Sequence, residues 1–328
     1  MPTWGEILVE LRNSAMMQGG QPDFDGTRRR YLAHLYGLTG NSTIVYYTDW
    51  LAGGGPDTSI TLEDMQGMME VCKDLPGPKL DLVLHTPGGH AEATAALVGY
   101  LRRKFDYIRV FVPLAAMSAG TMWSLAADEI VMGKHSQLGP IDPQIGVQGR
   151  FVPTRAILEQ FDKAVAECQD PAKLPAWYPI LQQYGPALLS ECESAEHLSK
   201  RLVSQWLSEY MFRGDADHEA KAAKAASWFA DFTIHRSHAL GISRENARAV
   251  GIKVTDLELD QSIQDAVLSV HHATMHTFGG PAVKLIENHL GRAFVKLAQP
   301  MLVPMGGATI QLAPPGQAPQ AIQFPPLQ

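Results

Sequence analysis

The chain has 328 residues, with 27 lysines and arginines against 34 aspartates and glutamates, which gives a net charge of −7. Hydrophobic residues make up 45%, too many for a disordered chain and enough for the core of one or two domains. The acidic balance argues against nucleic acid as a partner, and three widely separated cysteines argue against a disulfide framework or a zinc ribbon.

The N-terminal region has no secretory pattern, because Glu6, Glu10 and Arg12 interrupt its short apolar stretch. Residues 110–127 carry no charge, but Pro113 and the small residues after it are typical of a strand, a turn and a short helix. We therefore predict no transmembrane segment and a cytoplasmic location, which the reduced cysteine pattern also favours.

Strands alternate with helices along the first half of the chain. A helical segment is expected over residues 1–40, with the basic run 28–30 on its solvated face. An α/β core follows over 41–152, and its alternation is typical of βαβ units and a mainly parallel sheet. The predicted strands are 41–47, 80–84, 107–112 and 129–132, and the predicted helices are 61–72, 91–105 and 119–127.

The second half has a different composition. Residues 153–230 are almost wholly helix-forming and are broken only by proline-containing turns. Residues 231–296 predict a last α/β turn, with Ser243 as a helix N-cap, followed by C-terminal helices. Residues 297–328 contain seven prolines and no charged residue, so we expect an extended tail.

Two glycine-bearing turns, His85–His90 and Ala115–Gly120, each follow a predicted strand and precede a predicted helix. The carboxyl ends of parallel strands are where α/β proteins build their sites. Ser118 in the second turn can expose its hydroxyl as a nucleophile, and the glycines of the first can offer backbone N–H groups to an oxyanion. The competing interpretation is that Ser118 is simply a small residue where a helix packs closely on a sheet.

Four motifs in order resemble one family. They are Leu84-His-Thr-Pro-Gly-Gly89, Ala116-Met-Ser-Ala-Gly-Thr121, Ala126-Ala-Asp-Glu-Ile-Val-Met132 and Leu138-Gly-Pro-Ile-Asp-Pro-Gln144. Together they resemble the serine dehydrogenase proteinase family, a branch of the Clp/crotonase superfamily that includes the ClpP and SppA peptidases. The resemblance implies an α/β fold, a ClpP/crotonase-like ββα superhelix, here with residues 153–230 as a helical handle insertion. It also implies serine peptidase activity and assembly into a homo-oligomer.

Carried over by motif, the resemblance makes Ser118 the nucleophile, with the amides of Gly89 and Ala119, helped by Gly88, as the oxyanion hole. The general base stays open. SppA-like enzymes use a lysine, which predicts Lys163. The alternative is His238 with Asp142, a rearranged Ser-His-Asp set that is defined by geometry rather than chain order.

Other functions remain open at this point. A crotonase-like enzyme would use the same amide pair on an acyl-CoA thioester, and a scaffold would keep the fold without a competent base. We predict no cofactor and no metal site, although His271, His272 and His276 lie close in sequence. The expected partners are a peptide or protein substrate and further copies of the chain; no unfoldase or adaptor can be named.

Overall fold

The computed structural model describes residues 2–17, 19–53, 55–147, 149–298, 302–305 and 308–311. In this part of the chain, strands and helices alternate up to residue 132, helices dominate from 154 to 249, and mixed elements follow. The strands are β1 Ser42–Thr48, β2 Lys79–His85, β3 Tyr107–Val112, β4 Ala115–Ala116, β5 Glu129–Met132, β6 Gln137–Leu138, β7 Gln144–Val147, β8 Arg150–Pro153, β9 Val254–Asp256, β10 Ala282–Asn288, β11 Ala293–Leu297, β12 Leu302–Met305 and β13 Ala308–Gln311.

The helices carry the crossovers between parallel strands and the long helical region. They are α1 Trp4–Met17, α2 Phe24–Thr39, α3 Asp64–Cys72, α4 Ala91–Lys104, α5 Ala119–Leu125, α6 Thr154–Glu167, α7 Leu174–Leu181, α8 Leu188–Trp206, α9 His218–Phe229, α10 Phe232–His235, α11 Arg244–Ala249 and α12 Gln261–Thr277. A π-helical turn, Leu207–Met211, continues α8, and 3₁₀ turns lie at Pro56–Thr58 and Leu257–Leu259.

The central sheet has the strand order β11-β10-β1-β2-β3-β5-β9. The five strands from β1 to β9 run parallel, and β10 and β11 add an antiparallel edge next to β1. β4 pairs with β6, β7 with β8, and β12 with β13 in separate two-stranded sheets. Because β1, β2 and β3 are parallel, the turns that follow them lie at one edge of the sheet.

Each face of the sheet is covered by helices. One face packs against α3, α4, α5 and the α8–α9 region in the larger apolar core. The other face packs against α2 and α12, with Val45, Val83 and Phe111 pointing into a second core. This two-sided coverage explains why β1 is buried along its whole length.

The predicted fold class is confirmed: the chain is α/β with a mostly parallel sheet, and helices fill most of 153–230. Strands β3 and β5 have the predicted bounds, and Ser243 caps α11 by accepting a hydrogen bond from the Asn246 amide. Apolar runs bounded by Gly, Pro or Asp fix such strands locally.

Two expectations about the chain termini were wrong. Residues 231–296 were expected to end in helices; α12 is one such helix, but residues 282–297 form the antiparallel pair β10–β11, because the run 282–288 completes the open edge of β1. Arg28, expected on a solvated face, is fully buried and pairs with Asp25 and with Glu287 of β10, so it ties α2 to the sheet. The predicted tail lies largely outside the described residues; within it, 302–305 and 308–311 pair as antiparallel strands.

Among the described residues, no helix combines the length and apolar character needed to cross a membrane.

Candidate active site

Ser118 lies in a strained turn between β4 and α5. Its backbone has φ 50° and ψ −118°, a conformation that residues other than glycine rarely adopt and that costs about 1–3 kcal/mol. Thr121 holds the turn, since its hydroxyl donates to the Ala116 carbonyl at 2.7 Å and accepts from the Gly139 amide at 2.8 Å. The Ser118 hydroxyl makes no capping hydrogen bond to α5, so it remains available for chemistry.

The turn after β2 runs alongside Ser118 and presents a backbone amide. The Gly88 carbonyl accepts from the Ile60 amide at 2.8 Å, and the His90 amide donates to the Ile60 carbonyl at 3.0 Å. Gly89, paired with Ile60 in this parallel bridge, therefore points its own N–H away from Ile60. Neither the Gly89 nor the Ala119 amide donates to a backbone acceptor in the described part of the chain.

Glycine is required in this turn by close contact with the Ser118 turn. A Cβ at Gly88 would lie 2.6 Å from the Met117 carbonyl oxygen and 2.8 Å from the Ala119 nitrogen. Its φ of +102° also favours glycine. The Gly88 amide donates to the Thr86 hydroxyl at 3.2 Å, whereas the Gly89 and Ala119 amides have no backbone partner among the described residues.

His238 and Asp142, which are 96 residues apart, form a hydrogen bond. The Nδ1 of His238 donates to Oδ1 of Asp142 at 2.8 Å, and Gln144 donates to the other carboxylate oxygen at 3.3 Å. Because a carboxylate only accepts, this bond fixes the proton on Nδ1 and leaves Nε2 as the acceptor. Asp142 is buried, whereas His238 is partly exposed.

A backbone bridge brings these two loops together. Leu138 and Ile242 exchange both N–H···O bonds, at 3.0 and 2.7 Å. Asp142 follows Leu138 by four residues and His238 precedes Ile242 by four, so the antiparallel bridge aligns the loops on which the pair lies.

The candidate site residues line one cavity of about 580 Å³. Ser118, Ala119, Gly88, Gly89, Asp142 and His238 all line it. The rest of its wall is mixed: apolar side chains include Met122, Ile141, Phe151, Ala195 and Leu198, and the polar ones are Ser59, His90, Glu92, Gln144 and Ser199. A half-open cleft of this size is typical of a substrate site.

Lys163 is not part of this cavity. Its side chain on α6 is 66% exposed and lies 4.0 Å from Glu167, one helical turn away. The structure thus brings the predicted histidine and aspartate to Ser118's cavity and leaves the predicted lysine on a solvated helix face.

The sequence prediction missed Phe151. This side chain is 80% exposed on the β7–β8 hairpin, yet it lines the cavity. The spacing of Ile145 and Val147, together with a glycine at 149 before Phe151 and Val152, was the signal for the hairpin.

Two buried histidines lie behind the glycine turn. His85, the last residue of β2, donates from Nδ1 to the Ala115 carbonyl at 3.1 Å and so ties β2 to β4. Burial lowers the pKa of His85 from 6.5 to about 4, and burial also lowers that of its neighbour His271. His271, His272 and His276 lie close together, but within the described ranges no group of three or more His, Cys, Asp or Glu side chains is placed to hold a metal ion.

Because of these two buried histidines, we expect the free energy of unfolding to fall at acidic pH. A histidine with a lower pKa in the folded chain takes up its proton first in the unfolded chain, so stability falls as the pH drops from about 6.5 towards 4. For His85 alone, we expect a loss of about 2 kcal/mol between pH 7 and pH 5. Urea unfolding at both pH values measures it. The variant His85→Asn keeps a donor near the Nδ1 position and should lose less stability over this interval; equal losses in both proteins would contradict the prediction.

Part of this chain is similar in sequence to a known protein family and to two archaeal proteins. Residues 58–174 match the sequence profile of a family described as ClpP-like SDH-type serine proteinase. One uncharacterized protein of Methanocaldococcus jannaschii is 42% identical over 88 residues, which cover 26% of this chain and 31% of that protein. A second from the same organism is 31% identical over 164 residues, covering 46% and 54%. The chain therefore matches about a third and about half of the lengths of these relatives.

Two solved structures of variants of the 1510-N membrane-bound stomatin-specific protease are also similar, one of them in complex with a substrate peptide. They are 19% and 17% identical to this chain, cover 60% of it and 74% and 70% of their own chains, and give a TM-score of 0.34 in both cases.

Proposed function

We propose that the chain hydrolyses peptide bonds through an acyl-enzyme on Ser118, since residues 58–174 match the profile of the ClpP-like SDH-type serine proteinase family. The observation that carries the proposal is the His238–Asp142 hydrogen bond, which lies in the same cavity as Ser118. A strained serine, a histidine with a fixed tautomer and two unengaged amides are the parts that acyl transfer requires.

In the first step, Ser118 Oγ attacks the peptide carbonyl carbon while its proton passes to Nε2 of His238. The carbonyl π electrons move to the oxygen, where the amides of Gly89 and Ala119 stabilise the negative charge. Asp142, held by Gln144, keeps the His238 ring in orientation and stabilises the imidazolium that forms.

In the second step, the intermediate expels the amine, which takes the proton from His238, and the acyl-enzyme remains on Ser118. Water then attacks the ester carbonyl while His238 takes its proton; when this second intermediate collapses, His238 returns that proton to Ser118 Oγ and the acid product leaves. No step needs a cofactor, since every proton transfer uses His238.

The cavity wall supports a preference for an apolar substrate side chain. Met122 lies on α5, just after Ser118, while Leu198 and Phe151 face the same space from α8 and β8. Burying a leucine-sized side chain against such a wall gains about 1.5–3 kcal/mol. We therefore propose peptides with a large apolar residue near the scissile bond as substrates.

Hydrolysis of a complex peptide mixture, with products identified by mass spectrometry, tests this function. Wild type should cleave after or before apolar residues, and Ser118→Ala should lower the rate by about a thousandfold or more. Lys163→Ala is the matched control, because its side chain is exposed away from the cavity, and it should keep the wild-type rate within about twofold. Equal cleavage by Ser118→Ala, or loss of activity in Lys163→Ala, would contradict the assignment.

Assembly into a homo-oligomer, expected from the family resemblance, stays a prediction that light scattering can test.

A further inference from the structure

A lysine and an aspartate form an ion pair in the core beside the site. Nζ of Lys284, on β10, lies 2.6 Å from Oδ1 of Asp64, the first residue of α3, and both side chains are almost completely buried. Burial lowers the pKa of the Lys284 ammonium, and the Asp64 carboxylate counteracts that shift. Desolvating two charges is costly, and an apolar pair of the same volume would often be as stable, so such a pair is weak evidence for a stability role.

The pair holds neighbouring backbone in a fixed direction. Lys284 Nζ also donates to the Ser59 carbonyl at 2.8 Å. The second oxygen of Asp64 accepts from the Tyr46 hydroxyl at 2.7 Å and from the Thr61 amide at 2.9 Å. The segment 59–61 is therefore attached at two points to a buried, charged centre, and charge-assisted hydrogen bonds of this kind are stronger and more directional than neutral ones.

This segment is the one that supports the glycine turn. Ile60 pairs with Gly89 by hydrogen bonds to the residues on either side of it, and Ser59 lines the cavity. The approach is close, since a Cβ at Gly89 would lie 2.3 Å from the Ile60 nitrogen. Any displacement of Ile60 is thus transmitted to Gly89, and it changes the direction of the Gly89 N–H.

We propose that Lys284 is a positioning residue for the oxyanion hole: paired with Asp64, it holds the Ser59 carbonyl and so fixes the Ile60–Gly89 bridge that aims the Gly89 amide. The inference rests on the proposed function, because it assigns a role to that amide. Lys284 does not contact the substrate. It acts through the backbone of Ser59, Ile60 and Gly89.

The test removes the charge pair without leaving a buried charge alone. The double variant Lys284→Met with Asp64→Asn keeps an acceptor for Tyr46 and Thr61 and removes the donor to Ser59. Lys296→Met is the matched control, because Lys296 lies on the adjacent strand β11 and pairs with Asp57 and Glu63 on either side of the same segment. Both variants are compared with wild type by thermal unfolding, by kcat and KM on a peptide ester, and by hydrogen exchange of the Ile60 and His90 amides.

For the double variant we expect kcat to fall by about 10–100-fold with KM within about twofold, because an oxyanion donor acts mainly in the transition state. The Ile60 and His90 amides should exchange about tenfold faster or more, while amides of β3 keep their protection. Lys296→Met should leave all three readouts near wild type.

A folded double variant with wild-type kcat and wild-type exchange at Ile60 and His90 would overturn the proposal, as would an equal loss in Lys296→Met. If wild type itself does not hydrolyse the ester, the proposed function fails separately. In that case hydrogen exchange still tests whether Lys284 holds the Ile60–Gly89 bridge. Unchanged exchange of the Ile60 and His90 amides in the double variant would reject that role.

Discussion

Replacing His238 by glutamine is expected to lower kcat by about a thousandfold while leaving KM within a few fold. The glutamine amide can still donate to Asp142, so the loop conformation should persist, but the side chain has no nitrogen that accepts a proton. Steady-state hydrolysis of a peptide ester by the purified variant measures the effect. Because general-base catalysis contributes only to the chemical step, substrate binding should be almost unchanged.

A second histidine in the same cavity supplies the control. His90 is exposed, precedes α4 and makes no side-chain capping bond, so His90→Gln should change kcat by less than about threefold. Full activity in His238→Gln would contradict the assignment of the base. An equally large loss in His90→Gln, with His238→Gln active, would move the assignment to His90.

Replacing Gly88 by alanine is expected to lower kcat by about a hundredfold and to destabilise the fold by a few kcal/mol. The new Cβ would meet the backbone of Met117 and Ala119 well inside van der Waals distance, at a φ of +102°. Since backbone atoms cannot rotate away, the turn carrying Ser118 and the turn carrying Gly89 must separate. Separation changes the distance between the nucleophile and its oxyanion donors.

Gly99→Ala is the matched control for Gly88→Ala. Gly99 lies inside α4, where an added Cβ meets no atom within 4 Å, so the substitution should leave kcat unchanged and stabilise the fold by about 0.5–1 kcal/mol. Measurement of kcat and of the free energy of unfolding in urea, for both variants and wild type, tests this prediction. Wild-type kcat in Gly88→Ala would show that the contact between the two turns is not needed for activity.

Much of the fold could be predicted because its signals are local. Strands β3 and β5 are short, mostly apolar runs bounded by charged or turn residues, and their bounds follow from the sequence. The Ser118 turn was predictable for the same reason, since a serine among alanines and a glycine between a strand and a helix is a local pattern. The His238–Asp142 pair spans 96 residues, and only the family resemblance suggested it.

What could not be predicted depends on long-range packing. Residues 282–288 become β10 because β1 has an open edge, which a local pattern does not reveal. Arg28 is buried because Glu287, 259 residues later, lies opposite it. The role of Lys284 also depends on distant segments. The sequence shows a lysine in a mostly apolar run, but its partners, Asp64 and the Ser59 carbonyl, lie more than 200 residues earlier.

The measurement that tests the central claim most directly is labelling with a fluorophosphonate probe, read by intact mass for wild type and Ser118→Ala. We predict one adduct per chain in wild type and none in the variant, because only an activated serine attacks phosphorus at a useful rate. An unlabelled wild type, or an adduct that persists in Ser118→Ala, would contradict the account. If wild type is not labelled, the remaining alternatives are an inactive scaffold and an acyl-CoA enzyme. A measurement of acyl-CoA binding distinguishes them.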